Sequence, residues 1–444
     1  MRHDVFSQHR FDEIQVAPGK RGLALSNIPP KKNLLARFGP GILVAATGVG
    51  AGDLAAGAFA GNKLGTTILW AVLLGALLKF LLTEGLARWQ LASGETLLEG
   101  SLKRLGSITK PIFLIYLVIW SFFVGSALLN ANGLVAATIF PIPGLETAQS
   151  KIVYGILHSL LAVLLVLRGG FKLFEKLMAV CIGIMFVVVL LTTVLIHDDW
   201  IGLLKGIAIP IIPTEHPEGV AWTIGLIGGV GGTVTILCYG YWIRESGEQS
   251  LEDLRGMRLD LGIGYTMTAL FGMAMVIIGS HVSNDAQNTA FLLKLSEQLS
   301  DNPTLGHWAP IMKWLFLFGT WSAVLSSLFG VWQSVPYLFA DFWNQSYAQQ
   351  KVEKVTPALK TYKLYLYALA TLPVLGLFTK FERALKLYAV LGACFVPMLA
   401  VILLLLLGSN RYLKGAGRNH LLTNIALVLC LLFFLVFAVI ELSA

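Results

Sequence analysis

The sequence predicts an all-α polytopic membrane protein with about 11 transmembrane helices. Hydrophobic residues make up 56% of its 444 residues and charged residues only 13%, whereas a soluble domain carries about 25% charged residues. The apolar residues are gathered into eleven runs, each long enough to cross a bilayer as a helix. The alternating ten-residue segments typical of an outer-membrane barrel do not occur in the sequence. These observations exclude an ordinary soluble enzyme and a disordered protein.

The eleven runs are numbered here as spans 1 to 11 in chain order. Each contains about 17 residues or more, the lower limit for a transmembrane helix. They cover residues 38–61, 65–88, 111–140, 151–167, 174–197, 219–243, 259–281, 308–340, 363–379, 385–408 and 420–443. The four cysteines all lie in such runs, which indicates small buried hydrophobic residues and not a disulfide framework.

The distribution of Lys and Arg predicts the orientation of the chain. Of the 33 Lys and Arg residues, 24 lie in the N-terminal tail and the alternate loops that share its side, and 7 lie on the other side. The tail, residues 1–37, is therefore expected in the cytoplasm and the C-terminus outside, in a bacterial inner membrane. The net charge of +8 reflects topology, so nucleic acid is not expected as a partner.

Glycine is concentrated in two spans that are five spans apart. Residues 47–53 read TGVGAGD and residues 225–235 read GLIGGVGGTVT. Each glycine in a helix interior costs up to about 1 kcal/mol relative to alanine. Close helix packing is one explanation. Helix breaks at matching positions of two inverted repeats, which point to a transporter site, are the other.

The second explanation predicts a domain organisation. Spans 1–5 form one repeat, spans 6–10 form a second repeat inverted in the membrane, and span 11 is an addition. The predicted boundaries are a cytoplasmic tail, repeat 1, an extracytoplasmic loop, repeat 2, and a cytoplasmic loop with span 11, at 1–37, 38–197, 198–218, 219–408 and 409–444. Spans 1 and 6 are expected to unwind near 48–52 and 228–234 and to lie side by side.

Five motifs, taken in their order along the chain, resemble those of the Nramp family of proton-coupled divalent-metal transporters, which have the LeuT-type fold. They are Gly39–Val44, Asn62–Gly65, Ala87–Gly94, Phe174–Met178 and Leu407–Leu413. The resemblance implies a LeuT-type fold of five plus five inverted spans with one extra helix. It also implies a secondary transporter that moves a small divalent cation of the Mn²⁺ or Mg²⁺ class by alternating access.

The sequence departs from the family at both metal motifs. The Asp-Pro-Gly-Asn motif of span 1 falls on Gly50 to Asp53, so a carboxylate stands only at its last position. The Met-Pro-His motif of span 6 falls on Thr235, Ile236 and Leu237, which removes the thioether and the imidazole. Poor discrimination against Mg²⁺ is therefore expected.

Asp53 is the leading candidate metal ligand, because a carboxylate inside a membrane is by default functional. It is equally suited to capping the second half of span 1. Carbonyls of Thr47 and Gly50, with hydroxyls of Thr233 and Thr235, would complete an oxygen shell suited to Mg²⁺, Ca²⁺ or Mn²⁺. Within this predicted substrate site, Asp53, Gly50 and Thr235 are the predicted metal ligands.

Three other side chains near the predicted path are weaker candidates. Cys238 is a possible soft ligand, although a lone buried cysteine is usually inert, and Tyr239 either lines a cavity or packs. Glu84 either pairs with Arg88 one turn later or, with Asp53, takes part in proton coupling. Span 3 contains no Asp, Glu or His, so transport is expected to be weakly coupled to protons. The orientation of Lys79 and Lys313, both inside spans, is left open.

Two alternatives remain beside metal transport. Half-helix N-termini hold carboxylates, so an organic or amino-acid solute would account for the lost metal motifs. A membrane-embedded enzyme is disfavoured, because the sequence contains neither HExxH nor GxSxG. It also contains no GxxxxGK[ST] phosphate loop, and no resident cofactor is expected.

Overall fold

Apolar runs become helices because a helix satisfies its backbone hydrogen bonds within one segment, as hydrocarbon requires. The computed structural model describes residues 39–49, 52–168, 170–247, 250–282, 296–297, 303–348, 355–379, 381–413 and 415–443. Phe38–Ala444 is one compact unit. The predicted tail, residues 1–37, lies outside the described residues.

All eleven predicted spans are helical in this part of the chain. The uninterrupted ones, spans 2 to 5, 7, 8, 10 and 11, are Leu69–Ser93, Thr109–Ile139, Thr147–Arg168, Gly170–Ile196, Leu254–Ser280, Ala309–Ser346, Phe381–Leu407 and Leu421–Ser443. Span 9 is Lys360–Thr371 followed by a 3-10 segment, Leu372–Phe378. Among the described residues, nine helices are long and apolar enough to cross a membrane, and Leu421–Val436 is a shorter apolar helix.

Spans 1 and 6 are interrupted, as the glycine clusters predict. Span 1 is an α-helix over Gly39–Gly48, a π-helical turn over Gly52–Ala56 and an α-helix over Gly57–Leu64. Span 6 is an α-helix over Gly219–Gly229, a 3-10 segment over Val234–Cys238 and an α-helix over Tyr239–Ser246. Residues 230–233 between these last segments are not helical.

The two interruptions are adjacent, which confirms the predicted pairing of the glycine clusters. Gly231 and Gly232 have φ of 76° and 84°, a conformation that side chains disfavour. A Cβ on Gly48 would lie 2.7 Å from the carbonyl carbon of Gly231. The backbones therefore approach so closely that only glycine fits at the contact.

The second half of span 1, Gly57–Leu64, packs directly on span 7. A Cβ on Gly61 would meet the backbone of Val276, and one on Gly279 would meet the backbone of Ala58. The small-residue packing considered for the glycine clusters is thus present here. In the glycine clusters at 47–53 and 225–235, close backbone packing and helix breaks occur together.

Two details of the loops differ from the sequence prediction. The segment 198–218, predicted as a loop, contains a helix, Trp200–Ala208, whose first turn is capped by Asp199. Lys151, the first residue of predicted span 4, is counted among the charges of the outer side, but it is buried and its ammonium donates to Asn130 Oδ1 at 2.7 Å. Span 4 begins at Thr147, one turn earlier than predicted, and this shift places Lys151 one turn inside the helix.

Candidate functional site at the helix breaks

Asp53 joins the two interrupted helices. It stands in the π-helical turn that restarts span 1 and is fully buried. Both carboxylate oxygens lie 3.2 Å from the amide nitrogen of Gly231, which donates to them from the break in span 6. A buried carboxylate is costly unless it is paired. The sequence-predicted carboxylate therefore lies at the junction of the two breaks.

Lys79 supplies the opposite charge from span 2. Its side chain is fully buried, and its ammonium donates to the carbonyl of Gly228 at 2.8 Å and to the carbonyl of Gly232. These carbonyls are freed by the interruption of span 6 and need a partner. The structure thus resolves the orientation of Lys79, which points inward and places a cation on the broken helix.

Aromatic side chains enclose the same break. The indole of Trp120 donates to Thr233 Oγ1 at 2.7 Å, and the hydroxyl of Tyr388 is hydrogen bonded to Thr233. Tyr265 packs beside Gly231, where a Cβ would lie 2.9 Å from its ring. None of these aromatics is conspicuous in the sequence. They lie in three separate spans, so only the fold brings them to the break.

The remaining predicted ligands, Thr47, Thr235 and Gly50, differ in what surrounds them. The Thr47 carbonyl accepts a hydrogen bond from Ser327 at 3.0 Å, while Thr47 Oγ1 is buried without a hydrogen-bond partner. Thr235 is buried two residues beyond the break, with its hydroxyl beside Gly232. Gly50, the remaining predicted ligand, lies outside the described residues.

Cys238 and Tyr239 lie where the 3-10 segment of span 6 passes into its second α-helix. Both side chains are fully buried. The thiol of Cys238 lies near Ser334 of span 8, and Tyr239 starts the α-helix that follows. Cys238 therefore packs against span 8, in keeping with the inert-cysteine interpretation, and a ligand role for either residue stays a prediction.

Glu84 belongs to a separate ionic cluster in the C-terminal half of span 2. It accepts from Arg88 at 3.0 Å and from Arg258 of span 7 at 2.6 Å. Arg88 also donates to Asn419 Oδ1 at 2.8 Å. The intrahelical pair considered in the sequence is therefore present and extended by a second arginine. A role for Glu84 in proton coupling stays a prediction.

At the end of the bundle opposite Glu84, Glu218 links the ends of spans 1, 6 and 10 through two ion pairs. It precedes span 6 and accepts from Lys386 of span 10 at 2.5 Å and from Lys63 of span 1 at 3.0 Å. Hydrogen bonds from Lys386 and Lys63 lower the pKa of Glu218 to about 2. The carboxylate is therefore ionised at every pH at which the protein would work.

Glu218→Gln is expected to lower the melting temperature by a small amount that is constant above about pH 5. A lowered native pKa contributes stability above the unfolded value, 4.5, and this contribution is lost as the pH falls toward about 2. Solvent screening limits the effect to about 1 kcal/mol or less. Thermal unfolding in detergent at pH 4, 6 and 8 checks this, and a difference that grows toward pH 4 would contradict it.

Comparison with known proteins gives a consistent result. The family model described as natural resistance-associated macrophage protein-like matches residues 41–444. A divalent metal cation transporter of Chromohalobacter salexigens is 27% identical over 278 residues, which are 58% of this chain and 59% of that protein. The alignment therefore spans less than two thirds of that relative.

Two solved structures share the fold. A manganese transporter of Eremococcus coleocola superposes with a TM-score of 0.71 at 18% identity, over 95% of this chain and 88% of that one. MhsT in complex with L-phenylalanine gives 0.61 at 15% identity, over 90% and 98%. With the helical spans described above, these likenesses confirm the predicted LeuT-type fold.

Proposed function

This chain belongs to the natural resistance-associated macrophage protein-like family, or Nramp family, and on that premise we propose that it is a secondary transporter of a divalent metal cation. The broken segments of spans 1 and 6 form the substrate site. The cation is of the Mn²⁺ or Mg²⁺ class, and it crosses the membrane by alternating access. The relative from Chromohalobacter salexigens carries the name of a divalent metal cation transporter, which supports this substrate class.

The observation that carries the proposal is the position of the Lys79 ammonium, which backbone carbonyls hold at the break in span 6. Two backbone carbonyls of span 6 accept from the Lys79 ammonium, and Asp53 lies on the neighbouring amide of Gly231. Backbone carbonyls and a carboxylate are the oxygen ligands that hard cations prefer. The site is therefore suited to positive charge in its backbone geometry as well as in its side chains.

Substrate binding requires Lys79 to leave this position. An ammonium and a divalent ion that share the same carbonyls would repel each other by several kcal/mol at an effective dielectric constant of about 20. Lys79 therefore acts as a tethered competitor of the substrate. When the site empties, the ammonium returns to Gly228 and Gly232 and neutralises the buried charge of Asp53.

Excess Mg²⁺ is expected to inhibit Mn²⁺ uptake strongly. Thr235 stands where the family has a thioether, and the thiol of Cys238 lies near Ser334 of span 8. Oxygen ligands alone give little preference for Mn²⁺. Uptake of Mn²⁺ into proteoliposomes, measured with a hundredfold excess of Mg²⁺, tests this. Uptake that is unchanged by the excess would contradict an oxygen-only site.

A second candidate function is transport of an organic or amino-acid solute, and Lys79 is the observation that favours it. A protein ammonium beside half-helix ends offers a partner for a substrate carboxylate. The two candidates predict opposite effects of removing Lys79. If the substrate is a metal cation, a variant without Lys79 should bind it more strongly. If the substrate is an organic anion, the same variant should lose its uptake.

The orientation belongs to the same proposal. The Lys and Arg distribution supports a cytoplasmic N-terminus and an extracytoplasmic C-terminus in an inner membrane. The buried position of Lys151 removes one charge from the outer side and so strengthens the asymmetry. Glu218 then lies at the extracytoplasmic end of the path and Glu84 at the cytoplasmic end.

A further inference from the structure

Two histidines and an aspartate meet at the junction of spans 5 and 7, away from the helix breaks. His197 and Asp198 directly follow span 5, and His281 ends span 7. One ligand atom of each of the three lies within 4.8 Å of the others. The imidazole centroids of His197 and His281 are 5.4 Å apart, with the rings nearly perpendicular.

The hydrogen bonds fix which imidazole nitrogens carry protons. His197 Nε2 lies 3.0 Å from the carbonyl of Asp199, and His281 Nδ1 lies 2.9 Å from the carbonyl of Ile277. A carbonyl only accepts, so these two nitrogens are the donors. The lone pair of the neutral His197 imidazole is consequently on Nδ1. This carbonyl-to-imidazole arrangement is the one that orients metal-binding histidines.

The buried imidazole has an unused ligand atom. His197 is only 8% exposed, and its Nδ1 has no hydrogen-bond partner in the described structure. A buried polar atom without a partner is costly, so this nitrogen needs one. Asp198 and His281 are exposed beside it, which leaves the group open to a solvent ion.

We propose that His197, Asp198 and His281 bind one borderline divalent cation, of which Zn²⁺ is the best match. Two imidazoles and one carboxylate suit Zn²⁺, Ni²⁺ or Cu²⁺ and not Mg²⁺ or Ca²⁺. Three protein ligands leave a fourth position for water. The ion bridges spans 5 and 7 and is separate from the transported cation, so this proposal does not depend on the transport function.

Titration of the purified full chain with Zn²⁺ by calorimetry, after removal of any affinity tag, tests the site. The Asp53→Asn background is used, so that binding at the helix breaks does not contribute. His281→Gln and Asp198→Asn change exposed residues, and each is expected to weaken the Zn²⁺ affinity by about 10-fold or more. His307→Gln, at another exposed histidine, is the matched control and should bind as the background does.

Spectroscopy separates this site from other histidines, including His3 and His9 of the tail. Co²⁺ bound by two imidazoles and a carboxylate is expected to give visible d–d absorption that disappears in His281→Gln and persists in His307→Gln. Wild-type Zn²⁺ affinity in both His281→Gln and Asp198→Asn would overturn the proposal. Equal Co²⁺ spectra in all variants would also overturn it.

Discussion

Asp53→Asn is expected to lower the affinity for transported Mn²⁺ by about 100-fold or more. The carboxylate is the one acidic group at the break within the described residues, and asparagine keeps its size while removing its charge. A loss of about 3 kcal/mol, typical of a charged hydrogen-bonded contact, corresponds to about 100-fold. Concentration-dependent Mn²⁺ uptake into proteoliposomes measures the change.

Asp341→Asn is the matched control for this variant. Asp341 is also buried in a span, but its contact is the hydroxyl of Tyr241 at 2.8 Å, which asparagine can also accept. Uptake by this control should stay within a few-fold of wild type. Wild-type uptake by Asp53→Asn, with both variants monodisperse, would remove Asp53 from the substrate site.

Lys79→Met is expected to raise the affinity for Mn²⁺ by about 10-fold or more. Methionine has a similar length but carries no charge, so the carbonyls of Gly228 and Gly232 lose their resident cation. The negative charge of Asp53 is then uncompensated, which strengthens its attraction for Mn²⁺, and a gain of about 1.4 kcal/mol corresponds to about 10-fold in affinity. The variant should be less stable without Mn²⁺, because removing one partner leaves a buried charge.

Thermal unfolding in detergent, with and without Mn²⁺, checks both parts of this expectation. Bound Mn²⁺ should raise the melting temperature of Lys79→Met more than that of wild type. Lys313→Met changes a different lysine inside a span, half-buried in span 8, and should respond like wild type. A folded Lys79→Met protein that binds Mn²⁺ more weakly than wild type would contradict the competitor model.

The sequence predicted the interrupted helices because their cause is local. Glycine weakens a helix wherever it stands, and the clusters at 47–53 and 225–235 lie in spans 1 and 6. Asp53 could be singled out for the same reason, since a carboxylate in an apolar run is conspicuous. Both predictions needed only composition and position along the chain.

The role of Lys79 could not be predicted, because it depends on how spans 2 and 6 pack. Apolar residues occur around the whole circumference of span 2, so the sequence does not show which neighbouring span Lys79 faces. The sequence shows that Lys79 lies inside a span, but its partners are backbone carbonyls of glycines about 150 residues away. The helix Trp200–Ala208 was missed because its nine residues are too few for a span, although Asp199 is a readable N-cap.

Anomalous diffraction from crystals of Lys79→Met soaked in Mn²⁺ tests the central claim most directly. The competitor model predicts one strong Mn²⁺ peak between the Asp53 carboxylate and the carbonyls of Gly228 and Gly232. Lys313→Met crystals soaked in the same way should show a weaker peak at the same place. A Mn²⁺ peak elsewhere in the path, with those carbonyls uncoordinated in Lys79→Met, would contradict the assignment of the cation site to the break in span 6.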